Sequence, residues 1–276
     1  MAAVRTRSSW IVASCLMALA ILLSPANSRA ESPDDVALTW TGGKVVLPRS
    51  VSWLRTRTIG QLPGDLAPPR STPAIVYAHG SDGIVDSTIE LARILSDGGF
   101  AVFIPDSYKR PGRVSNCNPK TLKCGQWPEV YRHRNEEIVY AASAITRVPF
   151  IDPKRIVLLG HSEGGIAVAH YAGDFYAGVV ISGWHCGAST RGRDKYLGDF
   201  SGIKSPPTVP ILSIYSQRDP WYIDGGGLNG DCSRYFAGRA SAKAILEPGD
   251  VHYLLPRHDI VHAVIDFALS VTGTAK

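Results

Sequence analysis

The sequence predicts an α/β protein with a mostly parallel central sheet of about eight strands and helices on both faces. Two observations support this prediction. Short apolar segments typical of buried strands alternate with longer amphipathic segments along the chain. One of these strands, residues 156–159, runs directly into the glycine-rich turn 160–165, and residues 166–169 after the turn are suited to a helix. Strand, sharp turn and helix therefore follow one another at the centre of the chain.

The remaining elements alternate in the same way. The predicted buried strands are residues 74–78, 100–105, 156–159, 177–182, 209–215 and 243–246. The predicted helices are residues 87–97, which open on a capping box at Ser87–Glu90, residues 127–147, which carry one apolar stripe, and residues 259–269. Residues 36–66 contain short β-like pieces at 44–47 and 50–54, which we expect to begin the sheet in antiparallel fashion.

The turn has the pattern Gly-x-Ser-x-Gly, with Ser162 between Gly160 and Gly164. A strand that turns sharply into a helix crowds the returning backbone, so glycine is needed on either side of the serine. The serine hydroxyl then stands at the carboxyl edge of the sheet, next to the positive end of the helix. The alternative is an ordinary tight turn without chemistry.

Composition and length fit a globular protein, with 276 residues, 45% hydrophobic and 19% charged. Residues 1–30 combine Arg5 and Arg7 with an apolar run and small residues up to Ala30, which is typical of a secretory signal cleaved after Ala30. An uncleaved membrane anchor is the alternative, although the apolar run is short for one. We expect a single domain over residues 31–276, secreted or periplasmic, with no stable membrane anchor after cleavage.

Charge argues against nucleic acid as a partner. The first thirty residues hold three arginines and no acid, so the rest of the chain has 26 basic and 24 acidic residues and a net charge of +2. No basic run or stripe remains.

Four cysteines follow the signal segment, and an even number in an exported chain favours disulfides. Cys117 and Cys124 flank a turn-rich hexapeptide, whereas Cys186 and Cys232 each follow a predicted strand by a few residues. We therefore favour the pairs 117–124 and 186–232 among the three possible pairings. Free thiols or a metal site are the alternative, but no Cys-x-x-Cys spacing indicates zinc, and we predict no metal site.

A serine needs a base to take its proton and an acid to hold that base. Asp219 follows the strand at 209–215, and His252 follows the strand at 243–246. The order Ser162, Asp219, His252 is the one expected for a nucleophilic serine at this kind of turn. Asp219 could instead be a turn residue, with Asp224 as the acid.

Other histidines compete with His252 for the role of base. His258 and His262 lie four residues apart in the last predicted helix, a spacing that could bind a metal, but no third ligand accompanies them. His161 is expected to pack as a structural residue beside the serine. For His133, His170 and His185 we expect surface or core roles.

Two backbone N–H groups should stabilise an oxyanion near Ser162. We expect them to be the amide of Glu163, at the start of the helix, and the amide of Ser81, in the loop 79–83 after the strand at 74–78. That loop could equally be a tight turn with no further role.

With these residues in view, the chain resembles the dienelactone hydrolase-like branch of the α/β-hydrolases over residues 74–268. The similarity is carried by Asp106-Ser107-Tyr108, the long helix, residues 149–156 and the turn at 160–165. It implies the α/β-hydrolase fold with an eight-stranded sheet, a Ser162/Asp219/His252 triad and no cofactor. Dienelactone hydrolases carry cysteine as the nucleophile, so Ser162 favours a general ester hydrolase over a lactone hydrolase.

The expected function is a serine hydrolase that cleaves small-molecule carboxylic esters through an acyl-enzyme intermediate. A peptidase or thioesterase on the same triad, a non-catalytic binding protein of the same fold, and metal-dependent hydrolysis through His258 and His262 are the alternatives. Aromatic residues in loops at the same edge of the sheet could line an acyl pocket or pack in the core: Tyr108, Trp184, Trp221 and Tyr222.

Overall fold

A single eight-stranded sheet organises this computed structural model, which describes residues 32–115, 117–118, 120–124, 127–187, 201–221 and 232–273. In chain order the described strands are β1 (Lys44–Val46), β2 (Thr56–Thr58), β3 (Thr72–Ala78), β4 (Ala101–Ile104), β5 (Cys117–Asn118), β6 (Lys123–Cys124), β7 (Ile151–His161), β8 (Gly178–Ser182), β9 (Ile211–Ser216) and β10 (Ala242–Glu247). The sheet order is β10-β9-β8-β7-β3-β4-β1-β2, and β5 and β6 form a separate hairpin. Strand β1 pairs antiparallel with β2 and β4, whereas the other pairs in the sheet are parallel. The mostly parallel eight-stranded sheet predicted from the sequence is confirmed.

Helices cover both faces of this sheet. They are α1 (Pro33–Thr41), α2 (Asp86–Asp97), α3 (Trp127–Ile145), α4 (Glu163–Ala169) and α5 (His258–Thr272). Buried residues of α2 and α5 form one hydrophobic core, and those of α1, α3 and α4 form another on the opposite face. None of the helices described above is both long and apolar enough to cross a membrane.

Central strands are apolar on both sides because both sides are covered. In β3, Ala74, Val76 and Ala78 belong to the core under α3 and α4, while Ile75 and Tyr77 belong to the core under α2 and α5. Successive side chains of a strand point to opposite faces, so a two-sided core requires an unbroken apolar run. The loops that follow the parallel strands meet at one edge of the sheet, where the candidate site lies.

The start of the chain differs from the prediction. Residues 33–41 form helix α1, because Ser32 caps it with its side chain on the amide of Asp34 and Asp35 accepts from the Ser32 amide in return. The strand expected at 50–54 is a turn, in which the amides of Val51 and Ser52 donate to the Pro48 carbonyl. The strand that pairs with β1 comes later, at Thr56–Thr58.

Helix α2 also begins differently from the prediction, at Asp86 with Val85 as its cap. The hydroxyl of Thr88 accepts a hydrogen bond from the Val85 amide over 3.4 Å, the role expected of the Glu90 side chain toward Ser87. The expected capping box at Ser87–Glu90 is therefore wrong by two positions, which leaves Ser87 exposed at the edge of the sheet.

Two disulfides are present, Cys117–Cys124 across the β5–β6 hairpin and Cys186–Cys232 between distant loops. Disulfides of this kind are typical of extracellular or periplasmic proteins. The described residues belong to one compact unit, Ser32–Lys276. The expected signal segment, residues 1–30, lies outside the described residues and stays a prediction.

We call Gly160–Gly165 the elbow, since β7 ends and α4 begins within it. A Cβ atom at Gly160 would overlap the carbonyl group of Gly164, and one at Gly164 would overlap the carbonyl oxygen of Ala78 in β3. A Cβ at Gly165 would lie 2.5 Å from the carbonyl oxygen of Ser182. The elbow can therefore pack against both neighbouring strands only with glycine at these positions.

We predict that Gly164→Ala destabilises the protein by more than about 2 kcal/mol, because the backbone of Ala78 and His79 leaves the new methyl group no room. Urea unfolding measures the change. Gly64→Ala is the matched control, since its Cβ would meet only Pro149 at 3.6 Å, and its unfolding free energy should change by less than about 0.5 kcal/mol. Equal stabilities of the two variants would contradict this account of the elbow.

Candidate active site

Ser162 occupies a strained backbone conformation at the centre of the elbow. Its φ and ψ angles are 55° and −120°, a region that costs a non-glycine residue about 1–3 kcal/mol. The strain is held by hydrogen bonds on both sides: the Ser162 amide donates to the Ser182 carbonyl over 2.9 Å, and its carbonyl accepts from the Ile166 amide over 3.0 Å. The side chain of Ser162 is consequently presented at the carboxyl edge of the sheet.

The structure brings the three expected catalytic residues together. The Nε2 atom of His252 lies 2.9 Å from the Ser162 hydroxyl oxygen, and the Nδ1 atom lies 2.6 Å from a carboxylate oxygen of Asp219. With Nδ1–H donating to the buried carboxylate, Nε2 is left to accept the serine proton. This arrangement suits proton transfer from Ser162 to His252.

The loops that carry Asp219 and His252 are tied to one another. The Ser216 hydroxyl donates to the Val251 carbonyl over 2.5 Å, and the Arg218 amide donates to the Gly249 carbonyl over 2.7 Å. The second carboxylate oxygen of Asp219 accepts from the Trp221 amide over 3.0 Å. These bonds join the loop after β9, which carries the acid, to the loop after β10, which carries the imidazole.

The loop 79–83 lies directly beside Ser162, since a Cβ atom on Gly80 would be 3.5 Å from the Cβ atom of Ser162. The Tyr108 hydroxyl donates to the carbonyl oxygen of Ser81 in a short hydrogen bond. Glu163 is the first residue of α4, where backbone amides have no acceptor within the helix. The amides of Ser81 and Glu163 therefore belong to two segments that flank the serine side chain.

Beneath this loop lies a group of charged side chains that we call the buried ionic cluster: Arg113, Arg134, Glu137 and Glu163. Arg113 contacts Glu163 at 2.5 Å, and Arg134 contacts Glu137 at 3.0 Å and Glu163 at 3.6 Å. The two guanidinium groups and two carboxylates balance in charge. Between 92 and 99% of the surface of each residue is withdrawn from solvent.

The cluster also reaches the loop 79–83. The Arg134 guanidinium donates to the His79 carbonyl over 2.6 Å, and the Ser107 amide donates to Nε2 of His79 over 3.1 Å. Burial, reinforced by Arg134, lowers the pKa of His79 well below its usual value, which keeps the ring neutral and able to accept that bond. Helix α3 and the elbow thus hold the loop in place through charged side chains.

Sequence reasoning missed the cluster. Arg134 lies three residues after Tyr131 and four before Ile138, so a charge falls on the apolar stripe of α3. A charged residue on a buried stripe indicates a buried partner, and Glu137, three residues on, is one that the helical spacing could have indicated. Only the folded chain shows that Glu163 also contacts Arg134. The pKa of Glu137 is raised overall, because burial raises it more than Arg134 and Ser107 lower it.

Ser162 and His252 open onto a cavity of about 370 Å³. The described residues that line it are Tyr77, Gly80, Ser81, Asp82, Ser87, Thr88, Ser115, Cys117, His161, Ser162, Trp221, His252 and Tyr253. The volume suits a small organic ligand. Hydroxyl groups are frequent in the lining, and the β5–β6 hairpin contributes Cys117 to it.

The other aromatic residues singled out in the sequence have different positions. Trp221 lines the cavity, with its ring centroid 5.7 Å from that of His252, whereas Trp184 is wholly buried in the core under α3 and α4. Tyr108 holds the loop 79–83, as described above. Tyr222 and the alternative acid Asp224 lie outside the described residues.

The remaining histidines occupy core or helical positions. His161 is buried, with its ring centroid 4.9 Å from that of His252, and it lines the cavity. His133 and His185 are buried, and His170 caps the end of α4. His258 and His262 face one another along α5 with ring centroids 4.3 Å apart, and no cluster of three or more potential metal ligands occurs in the described part of the chain.

Comparison with known proteins agrees with this architecture. A family model described as the dienelactone hydrolase family matches residues 62–222, more than half of the chain. The chain belongs to the dienelactone hydrolase family. Members of this family are hydrolases that act on esters, so the family places this chain among the ester hydrolases. No curated protein matches the chain.

Solved structures with the same fold include several bacterial and archaeal enzymes. An esterase from Pyrobaculum calidifontis has 17% identity and a TM-score of 0.51, covering 75% of this chain and 78% of its own. A monoacylglycerol lipase from Paleococcus ferrophilus has 17% identity and a TM-score of 0.51, covering 73% of this chain and 97% of its own. An acetyl xylan esterase from Paenibacillus has 16% identity and a TM-score of 0.50, covering 74% and 75%. At these identities the similarity shows a shared α/β-hydrolase fold.

Buried histidines around the site make stability depend on pH. Burial is the main cause that lowers the pKa of His185 to about 4, and it lowers that of His161 well below its usual value near 6.5. Between about pH 6.5 and pH 4 the unfolded chain therefore binds more protons than the folded one at these rings. Stability should fall as the pH is lowered through this window.

Lowering the pH from 7 to 5 should reduce the unfolding free energy of both the wild type and His185→Gln. We predict that the reduction is smaller in His185→Gln, by up to about 2 kcal/mol. Urea unfolding at several pH values measures the two slopes. His258→Gln, a substitution at an exposed ring, should keep the wild-type slope. A wild-type slope in His185→Gln would show that this ring is not the source of the dependence.

Proposed function

We propose that this chain is a serine carboxylesterase in which Ser162, His252 and Asp219 form the catalytic triad. The observation that carries the proposal is the pair of hydrogen bonds at His252, which accepts from the Ser162 hydroxyl at Nε2 and donates to Asp219 from Nδ1. The strained backbone of Ser162 and the cavity beside it are further support. No metal or cofactor is needed for this chemistry.

In the proposed reaction, the Ser162 oxygen attacks the ester carbonyl carbon while His252 takes the hydroxyl proton. The tetrahedral intermediate collapses when the bond to the alcohol oxygen breaks, and His252 returns the proton to the departing alcohol. Water then attacks the acyl-enzyme with His252 again as the base, which releases the acid and regenerates Ser162. Asp219 holds the imidazole in the required tautomer and stabilises its protonated form.

We propose that the amides of Ser81 and Glu163 bind the oxyanion in both tetrahedral intermediates. Each amide belongs to a segment held by interactions away from the reacting atoms: Ser81 through Tyr108, and Glu163 through Arg113. A preorganised donor is effective because it needs no rearrangement as the charge develops. In this proposal Tyr108 is a positioning residue, since its hydroxyl binds the loop rather than the substrate.

The first test is Ser162→Ala, assayed with p-nitrophenyl acetate and butyrate. We expect kcat to fall by at least about 10⁴-fold with an unchanged melting temperature, because the nucleophile is lost and the packing is not. Labelling by a fluorophosphonate should disappear in the same variant.

Ser270→Ala, a substitution at an exposed serine of α5, serves as the matched control and should retain both activity and labelling. Parallel assays with an anilide and a thioester of the same acyl group separate an esterase from a peptidase or thioesterase. Undiminished ester hydrolysis by Ser162→Ala would refute the proposed triad.

The second test is Tyr108→Phe, which removes the donor to the Ser81 carbonyl and keeps the ring. We expect kcat to fall about tenfold with KM changed less than about twofold. A less well oriented Ser81 amide weakens the binding of the oxyanion in the transition state more than the binding of the uncharged substrate. Inhibition by a boronic acid, which forms a tetrahedral adduct with the serine, should weaken in proportion.

Tyr140→Phe removes a hydroxyl from the outer part of α3 and is the matched control. A role of Tyr108 in packing alone would lower the melting temperature of Tyr108→Phe and leave its kcat and boronic acid affinity at wild-type values. That result would contradict the positioning role.

A further inference from the structure

The cavity beside Ser162 contains a pair of tyrosine hydroxyls that the proposed mechanism does not use. Tyr77 comes from β3 and Tyr253 directly follows His252, and their hydroxyl oxygens are 3.5 Å apart. Both residues line the cavity. Tyr77 is only 1% exposed, and the ring of Tyr253 lies 4.6 Å from that of His161, centroid to centroid.

One O–H group of this pair remains available as a hydrogen-bond donor. Two phenol groups carry two O–H protons, and their mutual hydrogen bond uses one of them. Neither hydroxyl has a second protein partner among the described residues. Burial raises the pKa of Tyr77 well above its usual value and that of Tyr253 to about 12, so both keep their protons at neutral pH. A ligand oxygen in the cavity can therefore accept the remaining proton.

The charge around the pair decides which kind of oxygen fits. Asp82 lines the same cavity, and the carboxylates of Asp82 and Glu90 act on Tyr253. No lysine or arginine is among the described residues that line the cavity. Arg113, which lies over the ring of Tyr108 nearby, is already paired with Glu163. Arg134, whose charge acts on Tyr77, is likewise paired with Glu137 and Glu163. A carboxylate on the substrate would therefore meet the negative charge of Asp82 without an unpaired cation to balance it.

We propose that Tyr77 and Tyr253 form a subsite for an uncharged oxygen of the substrate, such as an ether or hydroxyl group, and that Asp82 disfavours substrates carrying a carboxylate. This inference rests on the proposed esterase function and specifies its substrate class: neutral esters with an additional oxygen in the acyl or alcohol part. A buried hydroxyl that finds an acceptor contributes to binding, whereas a hydrocarbon at the same place leaves it unpaired.

The test compares esters that differ by one oxygen. In the acyl series, p-nitrophenyl methoxyacetate replaces one methylene of p-nitrophenyl butyrate by oxygen. In the alcohol series, 4-methoxyphenyl acetate is compared with 4-ethylphenyl acetate. Each kcat/KM is divided by the rate of hydrolysis by hydroxide, which removes differences in intrinsic reactivity. We expect the oxygen-containing ester to be preferred by about two- to tenfold in at least one series.

The double variant Tyr77→Phe/Tyr253→Phe should bring that ratio to about one. If it does not fold, Tyr253→Phe alone, at the less buried position, should reduce the ratio. A ratio that persists without the hydroxyls, or a wild-type ratio near one in both series, would overturn the subsite.

The part of the proposal that concerns charge is tested with 4-acetoxybenzoate and its methyl ester, which differ by one carboxylate. We expect the wild type to prefer the methyl ester, and Asp82→Asn to reduce this preference at low salt by about two- to fivefold. Asp65→Asn removes the same charge from an exposed loop next to Gly64 and Pro149 and is the matched control. Equal effects of the two variants would overturn the role of Asp82.

Failure of this inference is distinguishable from failure of the proposed function. If Ser162→Ala abolishes hydrolysis of all these esters but no ratio depends on the tyrosines, the triad stands and the subsite is wrong. If Ser162→Ala hydrolyses them like the wild type, both proposals are wrong.

Discussion

The close approach of the elbow to strand β3 is the constraint on which the rest of the site depends. The backbone at Gly164 lies against the carbonyl groups of Ala78 and His79, and the backbone at Gly160 lies against that of Gly164. Because no side chain separates these segments, the start of α4 and the loop after β3 occupy neighbouring positions at the same edge. The proposed oxyanion donors come from these two segments, with Ser162 between them.

Charged residues rather than apolar ones pack beneath the elbow and the loop 79–83 at that edge. The buried ionic cluster connects α3, the segment after β4 and the elbow, and Arg134 extends it to the His79 carbonyl. Replacing a buried ion pair by apolar residues is often neutral or stabilising, so stability alone is a weak reason for such a cluster. Orientation is a stronger one, because planar guanidinium groups with fixed donor directions restrict the peptide groups that they bind.

The opposite side of the site depends on hydrogen bonds between loops. The acid and base of the proposed triad follow β9 and β10, which are neighbours in the sheet with parallel register. Parallel neighbours end at the same level, so the loops after them start close together. The bonds from Ser216 and Arg218 then join the two loops. One side of the site is therefore the closely packed backbone of the elbow and the loop after β3. The other side is the pair of hydrogen-bonded loops after β9 and β10.

Much of this protein could be predicted from local patterns. Buried parallel strands are visible as apolar runs, the elbow as glycines around Ser162, and the order of Ser162, Asp219 and His252 as polar residues just past strand ends. Helix α1 and the shifted β2 were not predicted, because a short helix with a weak apolar stripe and a three-residue edge strand have little local signal. The cap of α2 was misplaced because Ser87 is a typical cap residue and Val85 is not, whereas in the structure the helix begins after Val85 and Thr88 binds the Val85 amide.

The sequence by itself determined the order of the elements and the residue types available at the edge of the sheet, because both follow from neighbours along the chain. Only the tertiary structure decided that Glu163 meets Arg113 and Arg134, that Tyr108 binds Ser81, and that the hydroxyl of Tyr77 lies beside that of Tyr253. These contacts join residues between 27 and 176 positions apart, and such pairings depend on how whole strands and helices pack rather than on any local pattern.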